Sequence, residues 1–284
     1  MHSSTIARVS SAENLLANLG RRMRAAAPPL FWTGVGMLAL SLPTLLLVAL
    51  DDRTLQGVSV WLKPWKFQFS LAVFLLTLAL FMVWLPGATL RTRAVRFVVW
   101  GAVLSGSFEL IYITWQGALG LASHFNVTSP VAITMYQLMG LGAVTLSSTA
   151  LVLGLVIACT KDYAVPSAVK LSIVLGLLLT FLLGTGFGAY LSAQQSGHWV
   201  GGIRSDAAGM PVVKWSRSGG DLRVAHFFGI HAMHFIPAFG LALHGLRIPS
   251  MQSRSAIWIF AVLYAVFSSL TFWQALRGHP FSVF

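Results

Sequence analysis

The sequence predicts an all-α protein: a polytopic transmembrane bundle of seven helices, with the N-terminus inside and the C-terminus outside. Two observations predict the bundle. Apolar residues make up 56% of the chain and charged residues only 9%, whereas a soluble domain carries roughly a quarter charged residues. The apolar residues also gather into segments of about 20 residues or more, the length that a helix needs to cross a bilayer. Because the backbone in lipid must satisfy its own hydrogen bonds, these segments are predicted to be helices.

The chain divides into two parts by composition. Residues 1–27 form a polar and basic tail, and residues 28–284 form a single seven-helix membrane domain. Within the tail, Leu15, Leu16 and Leu19 precede three arginines, a pattern typical of a basic amphipathic helix lying on a membrane. A disordered tail is the alternative. The predicted spans are about 30–50, 67–86, 95–117, 133–159, 168–191, 223–247 and 255–276.

The basic residues predict the orientation and the partners. Eleven of the 19 lysines and arginines fall in the segments that would lie inside with an inside N-terminus, and eight fall outside. This bias favours that topology. In a soluble protein the net charge of +12 would suggest nucleic acid. Here the basic residues lie in short loops between apolar segments, so we expect contact with membrane lipid and no nucleic acid.

The sixth predicted helix is unusual in its histidines. It contains His226, His231, His234 and His244, half of the eight histidines in the chain. Ionisable groups at membrane depth are costly and indicate function. At about 100° per residue, His231 and His234 lie roughly 60° apart, and His226 and His234 roughly 80° apart. The three share one broad side, whereas His244 lies about 27 Å beyond His226 along the helix axis.

Residues of the third helix and of the following loop are expected at the same depth. Glu109 is the only acidic residue within an apolar segment, and Tyr112 follows it by one turn. His124 follows the third helix on the same side of the membrane. We therefore predict a site with Glu109 and Tyr112 as catalytic residues, and with His226, His231, His234 and His124 as metal or cofactor ligands.

Imidazole nitrogen is a common ligand of haem iron, copper, zinc and non-haem iron. The sequence therefore predicts a haem b or transition-metal site, with copper, iron or zinc as the metal. A di-iron carboxylate centre needs more buried carboxylates than Glu109, and two stacked haems need histidines on two facing helices. Lys63, Lys66, Arg217 and Arg223 could bind haem propionates or an anionic headgroup, although snorkelling is the commoner role.

Several functions are compatible with this site. We expect an oxidoreductase or electron-transfer protein that uses a quinone or another redox partner. The alternatives are a proton-coupled transporter or channel for a small solute, and a zinc-dependent intramembrane lipid hydrolase. The polar residues could also simply pack against each other across helices.

Three segments carry a resemblance to a known family. They are Lys63-Pro64-Trp65-Lys66-Phe67, Ser123-His124-Phe125-Asn126, and Gly219-Gly220-Asp221-Leu222-Arg223 running on to His226, Phe227, Gly229, His231 and Ala232. Together they resemble an uncharacterised family of bacterial multipass membrane proteins, over residues 55–245. The resemblance implies a bacterial inner-membrane protein and no particular activity. The third segment also predicts a helix start with Asp221 as its N-cap.

Overall fold

The computed structural model describes residue 14 and residues 16–194 and 197–281. Seven helical spans within these residues are long and apolar enough to cross a membrane. The helices, in chain order, are α1 (16–26), α2 (Pro28–Leu50), α3 (Leu62–Met82), the short α4 (Gly87–Leu90), α5 (Arg93–Ala118), α6 (Pro130–Cys159), α7 (Ser167–Leu179), α8 (Thr185–Ser192), α9 (Leu222–Gly245) and α10 (Ser250–Leu276). A π-helical segment, Thr180–Gly184, joins α7 to α8 into one span.

The seven predicted spans are confirmed, but the second one was placed too late. It was predicted at 67–86, whereas α3 runs over Leu62–Met82. Lys63 and Lys66 lower the local hydropathy, so the hydropathy pattern does not show the first turn of this helix. Pro64 is compatible with that turn, because the first backbone N–H groups of a helix have no partner within it. Lys63 and Lys66 therefore lie in the first two turns of α3 and not in the loop before it.

The N-terminal part is helical where the structure describes it. Met23 and Ala26 of α1 pack against the main apolar core, whereas the Leu16 side chain is exposed. Leu19 is half-buried. Leu15, which was expected on the apolar side of this helix, lies outside the described residues.

The helices pack as a chain of neighbours. α2 packs against α3, α3 against α5, α5 against α6 and α6 against α7, while α9 packs against α7, the π segment, α8 and α10. The main apolar core fills one half of this bundle. Its fully buried large members include Leu78, Met82, Leu153, Ile157 and Leu177.

The other half of the bundle ends in a folded layer of loops, here called the cap (residues 51–61, 119–129 and 197–221). Two short antiparallel pairs lie in it: β1 (Thr54–Leu55) with β2 (Val58–Ser59), and β3 (Trp199–Val200) with β4 (Gly220–Asp221). The Asp206 N–H donates to Gln56 O at 2.9 Å, and Arg53 Nη1 donates to Ala118 O at 2.9 Å. Segments 197–221 and 51–61 are thus held to each other, and segment 51–61 is held to the end of α5.

Candidate functional site

His231 and His234 form a close pair on α9. Their Nδ1 atoms are 3.0 Å apart, and both side chains are half-buried. The pairing follows from their spacing, since residues i and i+3 are neighbours on a helix. His234 also reaches α3, where its Nε2 lies 3.1 Å from Thr77 Oγ1. Their predicted position on one face of the helix is confirmed, and Thr77 is a contact that sequence reasoning missed.

His226 points towards α8 and not towards α3. Its Nδ1 lies 3.0 Å from the carbonyl oxygen of Gly184, the last residue of the π segment. The ring packs against Gly188, where an added Cβ would lie 2.8 Å from His226 Cε1. Glycine at this position therefore makes room for the imidazole. His226 and His231 nevertheless lie near enough to interact electrostatically.

The π segment is joined to α9 between these histidines. The backbone N–H of Met233 donates to Thr180 Oγ1 at 2.8 Å. Further along, Pro237 has no N–H to donate within α9. Wide π turns within helices occur frequently at functional sites. Here the turn places a backbone carbonyl against His226 and a hydroxyl against the α9 backbone.

His124 contacts α3 instead of the α9 histidines. Its Nδ1 lies 2.9 Å from Lys63 Nζ, and its ring lies beside those of Phe67 and Tyr136. Burial lowers the pKa of His124 well below its usual 6.5, and electrostatic interactions with Lys63 and His226 lower it further. His124 is therefore neutral at pH 7. In its charged form Lys63 has no acceptor and donates in this contact.

Glu109 is buried close to this group. Its side chain attracts that of Lys63 electrostatically, and its Oε1 has no hydrogen-bond partner among the described residues. An added Cβ at Gly142 of α6 would lie 3.3 Å from that oxygen. The side chain of Glu109 thus lies near Lys63. Among the described residues, none of its interactions connects it directly to His231 or His234.

Tyr112 lies in an apolar cluster. It is buried with Ile113 and Met139, and Phe67, Phe108 and Met135 pack around them. Its hydroxyl makes no hydrogen bond within the described residues. Tyr112 therefore lies among apolar side chains where α5 packs against α6, and not beside the predicted ligands.

Arg223 fastens the cap to the first turn of α9. It donates to both oxygens of Asp206 at 2.9 Å, and also to Asp221 at 2.7 Å and to Lys214 O at 2.7 Å. Its donors are thus used within the protein and not for a propionate or a headgroup. Asp221 accepts from the Arg223 N–H as the N-cap of α9, which confirms the predicted helix start.

His198 completes the Arg223 network. Its Nε2 lies 3.2 Å from Asp206 Oδ1. Burial by itself would raise the pKa of Asp206, but the hydrogen bonds from His198 and Arg223 outweigh it and lower that pKa. Sequence reasoning missed His198 and Asp206, because neither lies in an apolar segment.

The four predicted ligands thus divide into three places: the His231–His234 pair, His226 against Gly184, and His124 against Lys63. Within the described part of the chain, no three or more His, Cys, Asp or Glu side chains are arranged to hold one metal ion. The pair alone brings two ligand nitrogens together. Comparison of the chain with protein-family models, curated proteins and solved structures finds no match.

Segments 63–67, 123–126 and 219–232, which were singled out in the sequence, meet at the cap end. Lys63 of the first segment binds His124 of the second. Lys63 also interacts electrostatically with Arg223 of the third. The polar side chains at this end of the bundle are here called the polar region: Lys63, Glu109, His124, Arg223 and the α9 histidines His226, His231 and His234.

Proposed function

We propose that the protein is a membrane-embedded oxidoreductase or electron-transfer protein that binds a transition-metal ion between His231 and His234. The observation that carries the proposal is the 3.0 Å separation of their Nδ1 atoms. Two adjacent ligands with metal–nitrogen bonds of about 2.0–2.1 Å lie about 2.9–3.4 Å apart, depending on the coordination angle. His226, whose ring is coupled electrostatically to His231, is the candidate for a third ligand.

The same distance bears on the choice between a metal ion and haem b. Two axial ligands of a haem lie on opposite faces of the porphyrin, roughly 4 Å apart for ordinary iron–nitrogen bonds. At 3.0 Å, the Nδ1 atoms of His231 and His234 are too close together to bind the iron from opposite faces of a porphyrin. A haem would therefore take one of them only, so the pair favours copper or iron as a bare ion. Zinc has no redox chemistry.

Glu109, Lys63 and His124 would serve as proton-accepting and proton-donating groups near this centre. They lie at the cap end of the polar region, whereas the other half of the bundle is filled by the apolar core. A quinone or another redox partner in the membrane would exchange electrons with the metal. The loop charges favour the cap on the outer side of the membrane, and the resemblance described above implies a bacterial inner membrane.

The orientation has its own test. A reporter fused after Phe284 is expected to be active in the periplasm, and one fused after Arg93 in the cytoplasm. The reverse pair of results would put the cap and the polar region on the cytoplasmic side.

The metal is tested on protein purified after growth with added copper, iron or zinc. We expect one metal ion per chain by elemental analysis and no Soret band. The variant His231→Ala/His234→Ala should lose the metal, while His244→Ala, an exposed histidine on the same helix, should retain it. A metal-free wild-type protein after all three growths, or a double variant with full metal content, would overturn the proposal.

A second candidate is a proton-coupled site for a small solute. It is favoured by Glu109, whose buried Oε1 has no donor among the described residues while Lys63 lies near. Such a protein would move its solute through a second conformation, because the apolar core closes the half of the bundle away from the cap. A zinc-dependent hydrolase is less well supported. Its general base would be Glu109, but the interaction partner of Glu109 is Lys63 and not the His231–His234 pair.

A further inference from the structure

The hydroxyl group of Thr77 has its single proton committed. Thr77 Oγ1 donates to the carbonyl oxygen of Val73 at 2.7 Å, and a carbonyl oxygen can only accept. His234 Nε2 lies 3.1 Å from the same hydroxyl oxygen. Since a hydroxyl has one proton and two lone pairs, the oxygen must accept from His234. The Nε2 atom of His234 therefore carries a proton.

We propose that Thr77 is a positioning residue that holds neutral His234 in the Nε2–H form, so that its Nδ1 lone pair faces His231. The metal part of this inference rests on the proposed function, whereas the proton position does not. Partners that fix the tautomer and the ring orientation of a ligating histidine are a regular feature of metal sites. Thr77 supplies such a partner from α3, the helix across from α9.

His226 is held in the opposite form. The Gly184 carbonyl lies 3.0 Å from its Nδ1, so Nδ1 carries the proton and Nε2 keeps the lone pair. Of the three clustered histidines of α9, His226, His231 and His234, the protein thus sets the protons of two through acceptors on other helices. In the third, His231, the Nδ1 proton is free to occupy the 3.0 Å contact with His234.

These proton positions predict which of the two histidines changes its tautomer when a metal ion binds. Without metal, His231 donates its Nδ1 proton to the His234 Nδ1 lone pair. With metal, both Nδ1 lone pairs bind the ion, so the His231 proton moves to its own Nε2. No proton is gained or lost, and His234 keeps its tautomer. If the contact between Thr77 and His234 served packing alone, it would not keep His234 in one tautomer while His231 changes.

The test uses the full-length protein labelled with ¹⁵N at histidine, in lipid, with Zn²⁺ as a diamagnetic probe. The histidine ¹⁵N shifts give each tautomer without metal and with saturating Zn²⁺. We expect His234 as Nε2–H in both states, and His231 changing from Nδ1–H to Nε2–H. His234 found as Nδ1–H in the metal-free protein would overturn the inference.

Variants separate positioning from packing. Thr77→Val keeps the shape and removes the acceptor, and should weaken Zn²⁺ binding roughly 10- to 100-fold, while Thr77→Ser should remain within a few-fold of wild type. Thr134→Val is the matched control, since Thr134 is exposed and bonds only within its own helix. Equal affinities of Thr77→Val and wild type would overturn the inference. If wild type bound no Zn²⁺, the proposed metal centre would fail, while the tautomer of His234 would still decide the role of Thr77.

Discussion

Arg223 and Asp206 face each other through two parallel hydrogen bonds of 2.9 Å each. This pairing joins the first turn of the histidine-bearing helix to the loop that covers the cap end. Guanidinium and carboxylate groups match in this geometry, which gives orientation as well as attraction. Arg223 thus ties the loop 197–221 of the cap to the start of α9.

The pH dependence of the cap should follow His198. Burial lowers its pKa below the ordinary value of 6.5, although its hydrogen bond to Asp206 works against that shift. A histidine whose pKa is lowered by folding contributes stability that is complete above pH 6.5 and is lost as the pH falls below it. The groups that face it are Asp206, Asp221 and Arg223. Asp206 has a lowered pKa, so its own contribution is lost only in stronger acid.

We therefore expect hydrogen exchange of residues 197–221 to increase between pH 7 and pH 5, after correction for the intrinsic rate. His198→Gln removes the titrating group while keeping a donor towards Asp206, and its exchange should be flat over the same range. An equal pH response in the wild type and in this variant would show that another group loosens the cap.

Two glycines of α8 provide a matched pair. Gly188→Ala should displace the His226 ring, because the new Cβ would lie 2.8 Å from its Cε1, whereas Gly186 has no atom within 4 Å of such a Cβ. Overpacking of this kind typically costs about 1–3 kcal/mol. We expect a lower thermal midpoint and less bound metal for Gly188→Ala, and a Gly186→Ala protein like the wild type. Equal behaviour of the two variants would contradict the described position of His226.

Glu109→Gln separates proton chemistry from metal binding. The substitution keeps the shape of the side chain and removes its exchangeable proton, and Glu109 makes no direct contact with the His231–His234 pair. We expect normal helix content and metal content but loss of proton uptake on reduction, together with loss of the carboxyl band in infrared difference spectra. A fully active variant, with a carboxyl band that never moves in the wild type, would reduce Glu109 to a structural partner of Lys63.

Hydropathy and helix periodicity predicted what depends on local sequence. The seven spans, the N-cap at Asp221 and the shared face of His231 and His234 all follow from residues within one segment. Periodicity does not say which helix covers a given face. It could not show that His226 packs into the space at Gly188, since that contact depends on the turn geometry of another span.

Charged residues near helix ends were the main source of error. Lys63 and Lys66 were placed before the second span, with snorkelling as their commoner role, but Lys63 binds His124, 61 positions away in the sequence. Arg223 likewise binds Asp206 across a loop. In both cases a long-range partner compensates the cost of burial, and only the tertiary structure identifies that partner. Both residues lie in segments that the sequence singled out, 63–67 and 219–232, but those patterns did not identify the partners.

X-ray absorption spectroscopy of the metal-loaded protein tests the central claim most directly. Two or three imidazole nitrogens should scatter at about 2.0–2.1 Å from the metal, and the imidazole contribution should fall by one ligand in His234→Ala. His244→Ala should leave the spectrum unchanged. A first shell without imidazole, a porphyrin pattern of four equivalent nitrogens, or a spectrum that His234→Ala does not alter would contradict a metal ion held between His231 and His234.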